Sequence, residues 1–577
     1  MKVVVAIEVL IAGALVLSHD VGGLWWAGIV AAIALSATLV ALPGRMSLAE
    51  RTGLRLGLWR RRLIGAAESD GSKPDQAPFD IPVSGSNAIG ARWDGTALVT
   101  VVRIDTPPPT LSFLDPSGCR GLPPIPLAAL AECVRQFDIR LESVDVISHG
   151  IRTHGTGPVA QVYRRTLGPL PATAYRSVLV VLRLDPSHCP DAVARRGGGS
   201  EGALRTAMIA TRRVANRLAG QGLSASILTA AQITAATGHL AHGADTGEVR
   251  EDWDAVTSDR LRMCTYAVDP DHLDEILDAV WAVPSISTTV TMRLSPAGPG
   301  EVAMRTLVRF NSASLDHSAI TGLIELPGRQ RTALAASLPV GAAAELPPIG
   351  RQTVPFDSLS DVALSATGCG QLVGADHAGR AVAVDLLGGP PHRVSIAGGL
   401  HLAQQVLLRA IAVGARVLVY TDHGAVWQQF VTAVGDPGLL ALAGGRNPQG
   451  HYTVAVFHGV APAPVDAPTV ITVVPPGSPG EPADVRLEQN EAAPQDIWVA
   501  TPTGSAMVTM VATSDEMVFI GSTLPVPSRV GPRRSGRLVS GYQPSEECGV
   551  RRCRMHDDIG IVVTQPRRPT LRHHQMT

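Results

Sequence analysis

Residues 177–184 (SVLVVLRL), 201–218 (EGALRTAMIATRRVANRL) and 224–228 (SASIL) are the stretch that decides the fold. The first and last segments are short runs rich in branched apolar residues, which predict β-strands, and the middle segment predicts a helix. Strands that alternate with helices of this length are typical of α/β proteins. The stretch therefore predicts an α/β fold whose sheets are at least partly parallel.

The same alternation continues on both sides of this stretch. Strands are predicted at 97–104, 143–148, 262–268, 286–294 and 302–310, and helices at 127–136 and 271–281. We expect a first cytosolic α/β region at 79–340, with no internal duplication, because the rounds share no residue-level repeat. A segment rich in Pro, Gly and Ala, 338–351, then separates it from a second cytosolic α/β region at 352–521.

Composition excludes several classes of protein. Of 577 residues, 45% are apolar and 17% charged, so the chain as a whole is not disordered. Its 49 basic and 50 acidic residues nearly cancel, and only 4% of residues are aromatic. We therefore expect no nucleic-acid partner. Seven scattered cysteines argue against a secreted disulfide scaffold and favour a reduced compartment.

The first 45 residues predict a transmembrane helical hairpin. Residues 3–17 (VVVAIEVLIAGALVL) and 24–42 (LWWAGIVAAIALSATLVAL) are apolar apart from Glu8, and the second run would span about 28 Å. The short turn between them lacks Lys and Arg, whereas arginines follow Pro43 at once. The positive-inside rule then predicts a multi-pass protein of the inner (plasma) membrane with both termini cytoplasmic. Glu8 and the second run argue against a cleaved signal peptide.

Basic segments flank the α/β regions. Residues 46–78 form a basic juxtamembrane segment and linker, in which 47–62 predicts an amphipathic helix that attracts anionic headgroups. Residues 522–577 show little periodicity, and from Arg529 onward they contain 10 arginines and four acids. We predict that this basic tail is disordered.

A glycine loop at 197–200 is the first candidate for chemistry. Two arginines, Arg195 and Arg196, precede it, and a helix follows. Backbone N–H groups at a helix start can bind an anion. The alternative is a loop capped by Ser200 with Glu201 in the first helical turn. The sequence leaves both interpretations open.

Residues 393–422 have the strand–turn–helix–strand outline of a nucleotide-binding core. A strand at 393–399 (RVSIAGG) leads into a helix at 400–414, and the strand 415–422 (ARVLVYTD) ends in Asp422. The turn lacks the phosphate-binding lysine and the adjacent Ser or Thr that would hold Mg²⁺. We therefore expect a structural core that does not hydrolyse ATP.

Two further patterns could hold metal ions. Asp269 and Asp271 could coordinate a divalent cation that carries a nucleotide sugar, but the same residues would also form an ordinary helix start. Cys548, Cys553 and His556 form an incomplete zinc set in the tail and are expected to be free. We predict no catalytic, cofactor-binding or metal-binding residue.

Eight short segments resemble EccE, a membrane component of mycobacterial type VII (ESX) secretion systems. They are 79–82 (FDIP), 90–95 (GARWDG), 136–141 (QFDIRL), 148–150 (SHG), 195–199 (RRGGG), 210–218 (ATRRVANRL), 368–376 (GCGQLVGAD) and 401–409 (HLAQQVLLR). The resemblance extends over residues 1–520, and it does not include the basic tail. These segments carry no known catalytic meaning.

The resemblance implies a place in an inner-membrane complex with EccB, EccC and EccD, in which EccC is the export ATPase. The leading hypothesis is a non-enzymatic structural component that scaffolds this complex and contacts the lipid bilayer, without a cofactor. One alternative is a membrane-tethered nucleotide-sugar-dependent transferase that uses Asp269 and Asp271. The other is an anion- or nucleotide-sensing module built on Gly197–Ser200.

Overall fold

The computed structural model describes residues 48–64, 77–83, 88–244, 249–258, 261–312, 320–339, 349–387, 392–444, 451–478 and 481–521. The transmembrane hairpin predicted at 1–45 and the tail predicted at 522–577 lie outside these ranges. None of the helices in the described ranges combines the length and apolar character needed to cross a membrane.

The described part of the chain is a mixed α/β structure. Its helices are α1 Leu48–Ile64, α2 Leu127–Glu132, α3 Pro158–Leu167, α4 Pro190–Arg195, α5 Gly199–Gly220, α6 Ala230–Leu240, α7 Leu273–Ala279, α8 Gln330–Ala336, α9 Leu400–Ala412, α10 Gly424–Val434 and α11 Ser514–Ile520. Short 3₁₀ turns cover Pro186–His188, Pro270–His272 and Asp357–Ser360.

The strands are β1 Phe79–Ile81, β2 Ile89–Trp93, β3 Leu98–Ile104, β4 Leu111–Asp115, β5 Gly118–Arg120, β6 Arg135–Gln136, β7 Ile139–Arg140, β8 Ser143–Ile151, β9 Tyr175–Leu184, β10 Ala225–Ile227, β11 Arg250–Glu251, β12 Val256–Ser258, β13 Leu261–Val268, β14 Ser287–Pro296, β15 Glu301–Ser312, β16 Leu323–Glu325, β17 Arg351–Pro355, β18 Gln371–Ala375, β19 Ala381–Val384, β20 His392–Ala397, β21 Val417–Thr421, β22 Leu440–Leu442, β23 Val454–His458, β24 Thr469–Val474, β25 Val485–Gln489, β26 Asp496–Thr501 and β27 Gly504–Met510.

The first sheet is antiparallel in all its described pairings. Its order is β1-β2-β3-β9-β8-β14-β15-β13-β12-β11, with β10, β16 and β17 attached to β3, β13 and β15. The partly parallel pairing expected for this region is therefore wrong. A helix between two strands does not fix their direction: β8 and β9 flank α3, yet they pair antiparallel from Ser143 opposite Arg183 to Ile151 opposite Tyr175.

The second sheet contains the parallel strands that the sequence predicts. The strands β22-β21-β23-β24-β20-β25 are parallel neighbours, and β26-β27-β18-β19-β4-β5 continue the sheet with antiparallel pairs. The strand, helix and strand predicted within 393–422 are confirmed as β20, α9 and β21. Every residue of α9 from Leu402 to Ala412 is buried, which explains why most of them are apolar.

The order of the strands in the sequence does not separate the two sheets. The hairpin β4–β5 lies early in the sequence but pairs with β19 of the second sheet, and β17 follows residue 350 but pairs with β15 of the first. Helix α3 packs into the core of the second sheet through Val159 and Tyr163. The division of the chain at residues 340 and 352 stays a prediction.

Side chains alternate between two faces of the first sheet, as strand geometry requires. Val180 and Leu182 join a core formed with helices α2, α5 and α7, which we call the α5 face. Leu179 and Val181 join a smaller core with α6 and α8, which we call the α6 face. Both faces of this sheet are therefore covered by helices.

Most predicted elements are confirmed within two residues at each end, including the amphipathic helix predicted at 47–62, which is α1. The helix predicted at 127–136 ends at Glu132, because the chain turns there into the small hairpin β6–β7. The helix predicted at 271–281 consists of a 3₁₀ turn followed by α7.

Candidate functional site

The predicted anion loop is a tight turn between α4 and α5. Gly197, Gly198 and Gly199 have φ values of 110°, 68° and 55°, a region that favours glycine over residues with a Cβ. Gly198 is the residue that caps α5, and Ser200 lies inside the first turn and makes no capping hydrogen bond. The predicted cap at Ser200 is therefore wrong, and backbone conformation explains the three glycines.

The arginine beside this loop already binds a carboxylate of the same chain. Arg196 donates two hydrogen bonds to Asp138, of 2.7 Å and 3.1 Å, and Arg195 lies 3.9 Å from the same carboxylate. The hydrogen bonds from Arg196 lower the pKa of Asp138. Arg196 is thus held by the hairpin β6–β7, which brings two of the EccE-like segments, 136–141 and 195–199, together.

A pocket of about 750 Å³ is lined in part by this loop. Most of its lining residues are apolar, among them Phe79, Trp93 and Leu204, and residues 198–200 also line it. The residues that line it within the described chain carry no charge. Anion binding by the loop stays a prediction without support from side-chain charge.

A fourth glycine of this segment, Gly202, sets the distance between α4 and α5. A Cβ at Gly202 would lie 2.3 Å from the carbonyl oxygen of Val193. We expect Gly202→Ala to lower the free energy of unfolding by about 1–3 kcal/mol, because the backbone of one helix must shift. Gly220→Ala is the matched control in α5, since a Cβ there meets no atom within 4 Å. Denaturant midpoints that are equal for the two variants would contradict the prediction.

The glycine turn after β20 is occupied by a side chain of the protein itself. The N–H of Gly399 donates to Oε1 of Gln489 at 2.8 Å, and Gln489 donates to the carbonyl of Pro494. In a phosphate-binding turn, N–H groups of this kind face the ligand. Leu400 and His401 follow the turn where a lysine would be needed. The turn therefore has the strand–helix outline of a nucleotide site without its anion-binding groups.

Asp422 lies just after β21, as predicted. Its carboxylate pairs with Nδ1 of His423 at 2.5 Å, and both side chains are more than half exposed. His458, at the end of the neighbouring strand β23, accepts a hydrogen bond from the indole of Trp427 at 3.2 Å. Asp422, His423 and His458 thus lie together at the carboxyl edge of the parallel strands.

The aspartate pair forms a helix start. The side chain of Asp269 accepts a hydrogen bond from the N–H of Asp271 at 3.3 Å and caps the 3₁₀ turn before α7. The capping interpretation is confirmed. No group of three or more His, Cys, Asp or Glu side chains suited to a metal occurs among the described residues. Cys548, Cys553 and His556 lie outside the described ranges.

Sequence patterns did not reveal a buried charge network in the first sheet. Asp145 accepts hydrogen bonds from Arg183 at 3.2 Å and from Arg293 at 2.9 Å and 2.8 Å, and Arg183 also reaches Asp94 at 3.3 Å. Burial opposes ionisation of Asp145, but the two arginines outweigh it and lower its pKa. The sequence signal for this network was a single charged residue, Asp145, in the strand segment SVDVIS.

A histidine cluster on the α6 face was also missed, in which His149 is buried, His242 is half-buried and His239 is exposed. The rings of His239 and His242 lie 5.4 Å and 5.7 Å from that of His149, and Nε2 of His242 is 2.6 Å from the hydroxyl of Ser287. Fully buried Arg309 donates to Thr289, Ser337 and the Leu240 carbonyl. Burial, reinforced by Arg309, lowers the pKa of His242 to about 4 and that of His149 well below its usual value.

This cluster predicts loss of stability in mild acid. Below pH 6.5 the unfolded chain binds protons that His242 and His149 cannot accept in the fold. The contribution of these histidines to stability is therefore fully present above pH 6.5. It is lost as the pH approaches 4, and His242 alone lowers the free energy of unfolding by about 3 kcal/mol. Denaturant unfolding measured across this range tests the expectation. His242→Asn, which also tolerates the positive φ of this position, should reduce the pH slope; an unchanged slope would contradict it.

Comparison with known proteins tests the resemblance that the EccE-like segments indicate. A family model described as "Putative type VII ESX secretion system translocon, EccE" matches residues 172–268. The ESX-5 secretion system protein EccE5 of Mycobacterium marinum is 28% identical over 353 residues, 58% of this chain and 85% of the relative. The ESX-1 secretion system protein EccE1 of Mycobacterium tuberculosis is 26% identical over 368 residues, 59% of this chain and 72% of the relative. The resemblance seen in the sequence is confirmed.

Proposed function

We propose, from its kinship with the EccE family, that this chain is a non-enzymatic structural component of a type VII (ESX) secretion complex. Its relatives are named as proteins of the ESX-1, ESX-2 and ESX-5 secretion systems. The non-enzymatic part of the proposal rests on two contacts within the chain. The groups that could bind a substrate anion are held by side chains of the chain itself, Gly399 by Gln489 and Arg196 by Asp138.

A scaffold needs a firm connection between its membrane anchor and its folded part. In the proposal the hairpin at 1–45 anchors the chain in the inner membrane, with both termini cytoplasmic, and α1 follows it directly. The guanidinium of Arg55 in α1 lies 5.2 Å from the ring of Trp253, and Leu58 is buried. Helix α1 therefore packs against the first sheet region, which supports a role in positioning that region for EccB, EccC and EccD.

The experiment compares one full-length double variant with one truncation, in cells that lack the native protein. Deletion of residues 1–42 is expected to release the chain from membranes and to abolish export by the secretion system. The double variant Asp269→Ala with Asp271→Ala should retain membrane association and export, because these residues only start a helix.

The transferase alternative makes the opposite prediction for the double variant. Loss of export with the protein still folded and in the membrane would favour an enzyme that uses Asp269 and Asp271. Normal export by the truncated chain would overturn the membrane scaffold. Immunoblots of the membrane and soluble fractions measure membrane association, and immunoblots of the culture medium measure export.

A further inference from the structure

The hairpin β6–β7 presents a phenylalanine almost wholly to solvent. Phe137 is 97% exposed and has a φ of 56°, a conformation that is strained for a bulky residue. Its ring buries almost nothing within this chain, so neither the strain nor the exposure contributes to folding. Residues held in this way concentrate at ligand and partner sites.

The surroundings of Phe137 hold it in place. The guanidinium of Arg213 in α5 lies 5.1 Å from the ring centroid and donates to the carbonyl of Gln136 at 3.2 Å. The buried amide of Gln136 donates to the carbonyl of Ala210 at 3.4 Å, and Asp138 is bound by Arg196. Both neighbours of Phe137 are therefore held in place, and the backbone that carries the ring is already ordered, which reduces the entropy lost on binding.

Six arginines lie on the elements that carry or adjoin the ring. We define the Phe137 surface as Phe137 with Arg135 and Arg140 of the same hairpin, Arg195 and Arg196 beside Asp138, and Arg213 and Arg217 of α5. Its two acids are already paired, Asp138 with Arg196 and Glu132 with Arg217. The six arginines outnumber these two paired acids by four, on a chain whose net charge is −1. An exposed aromatic ring among arginines is the composition of a binding hot spot.

The position of the surface favours a protein over a lipid. Helices α2 and α5, which flank the Phe137 surface, cover the α5 face of the first sheet. Helix α1 instead contacts Trp253, whose carbonyl accepts a hydrogen bond from Gly328 just before α8 of the α6 face. The helix that follows the proposed membrane hairpin therefore contacts a different part of the first sheet region. The tail of this chain is itself basic and would be repelled.

We propose that the Phe137 surface binds an acidic face of another subunit of the secretion complex, with the phenyl ring entering an apolar pocket of that subunit. This inference rests on the proposed function and names the chemistry of one partner. The ring supplies the anchor, and the arginines supply charge complementarity and a dependence on salt.

Two surface variants of the full chain test the proposal in detergent-solubilised complex. Phe137→Ala and Arg140→Glu are each expected to reduce the fraction of chain that remains in the complex at least tenfold, as measured by native mass spectrometry. Their membrane association and unfolding midpoints should stay unchanged, because neither side chain is buried. Val518→Ala is the matched control, since Val518 is an apolar side chain that is 74% exposed in α11. Retention of both variants at the wild-type level would overturn the inference.

Photo-crosslinking identifies the occupant. A photoreactive phenylalanine analogue at position 137 is expected to crosslink to an Asp- and Glu-rich peptide of another subunit, and high salt should reduce the yield. Crosslinks only to lipid, to the chain's own tail or to a second copy would overturn the inference, as would none at all. These results leave the proposed function intact if deletion of residues 1–42 still abolishes export, so the two proposals fail separately.

Discussion

Glu516→Ala is expected to lower the free energy of unfolding by about 3–5 kcal/mol. Glu516 and Arg409 are 1% and 2% exposed. Their side chains form two hydrogen bonds, from Nε to Oε1 at 2.7 Å and from Nη2 to Oε2 at 3.0 Å. Removal of the carboxylate leaves a guanidinium charge buried without its counter-ion, which is the costly way to break a buried pair.

The pair joins the last described helix to the core of the second sheet. Arg409 lies in α9 and also donates to the carbonyls of Leu372 and Val373 at 3.1 Å and 2.9 Å, at the start of β18. Glu516 lies in α11 and accepts a hydrogen bond from Gln405 as well. Burial opposes ionisation of Glu516, but Arg409 outweighs it and lowers the pKa. Loss of this contact is therefore expected to loosen α11 first.

The neighbouring residue provides a matched control. Asp515 lies in the same helix and also pairs with an arginine, Arg165, at 2.8 Å, but these two side chains are 42% and 70% exposed. Asp515→Ala should cost no more than about 1 kcal/mol. Equal losses in denaturant unfolding for the two variants would refute the prediction. The double variant Arg409→Met with Glu516→Leu should recover most of the stability, because it removes both buried charges.

Sequence analysis predicts those structural elements that depend on the pattern of neighbouring residues. Short branched runs mark β3, β9 and β14, and the predominantly apolar segment 400–412 marks a buried helix, because burial imposes the spacing of side chains. The EccE resemblance was also readable from short segments. Both kinds of signal lie within about twenty consecutive residues.

Strand direction and buried charge depend on partners far away in the chain. Nothing in the segment 143–148 shows that β8 pairs antiparallel with β9 and β14, because a connecting helix fits either direction. Arg409 stands out as the charge in an apolar helix, yet its partner Glu516 is 107 residues away. Phe137 looks like a core residue in the segment QFDIRL, and only the turn geometry shows that it faces solvent.

Asp145→Ala is expected to cost at least as much as the change at Glu516, about 3–5 kcal/mol. Asp145 is buried at the centre of the first sheet and is the shared partner of Arg183 and Arg293. It also accepts a hydrogen bond from Ser143 at 2.9 Å. The substitution removes the charge that lies between two guanidinium groups on the strands that flank β8, so they are left to repel each other at low effective dielectric constant.

Two further variants separate charge from shape. Asp145→Asn keeps the volume of the side chain but not its charge, so a loss nearly as large as that of Asp145→Ala would assign the effect to electrostatics. Asp254→Ala removes an exposed partner of Arg262 in the same sheet region and should cost no more than about 1 kcal/mol. If Asp145→Asn instead unfolds at the wild-type denaturant midpoint, the carboxylate contributes packing alone. The two arginines would then be stabilised by other groups, of which Asp94 is the nearest carboxylate to Arg183.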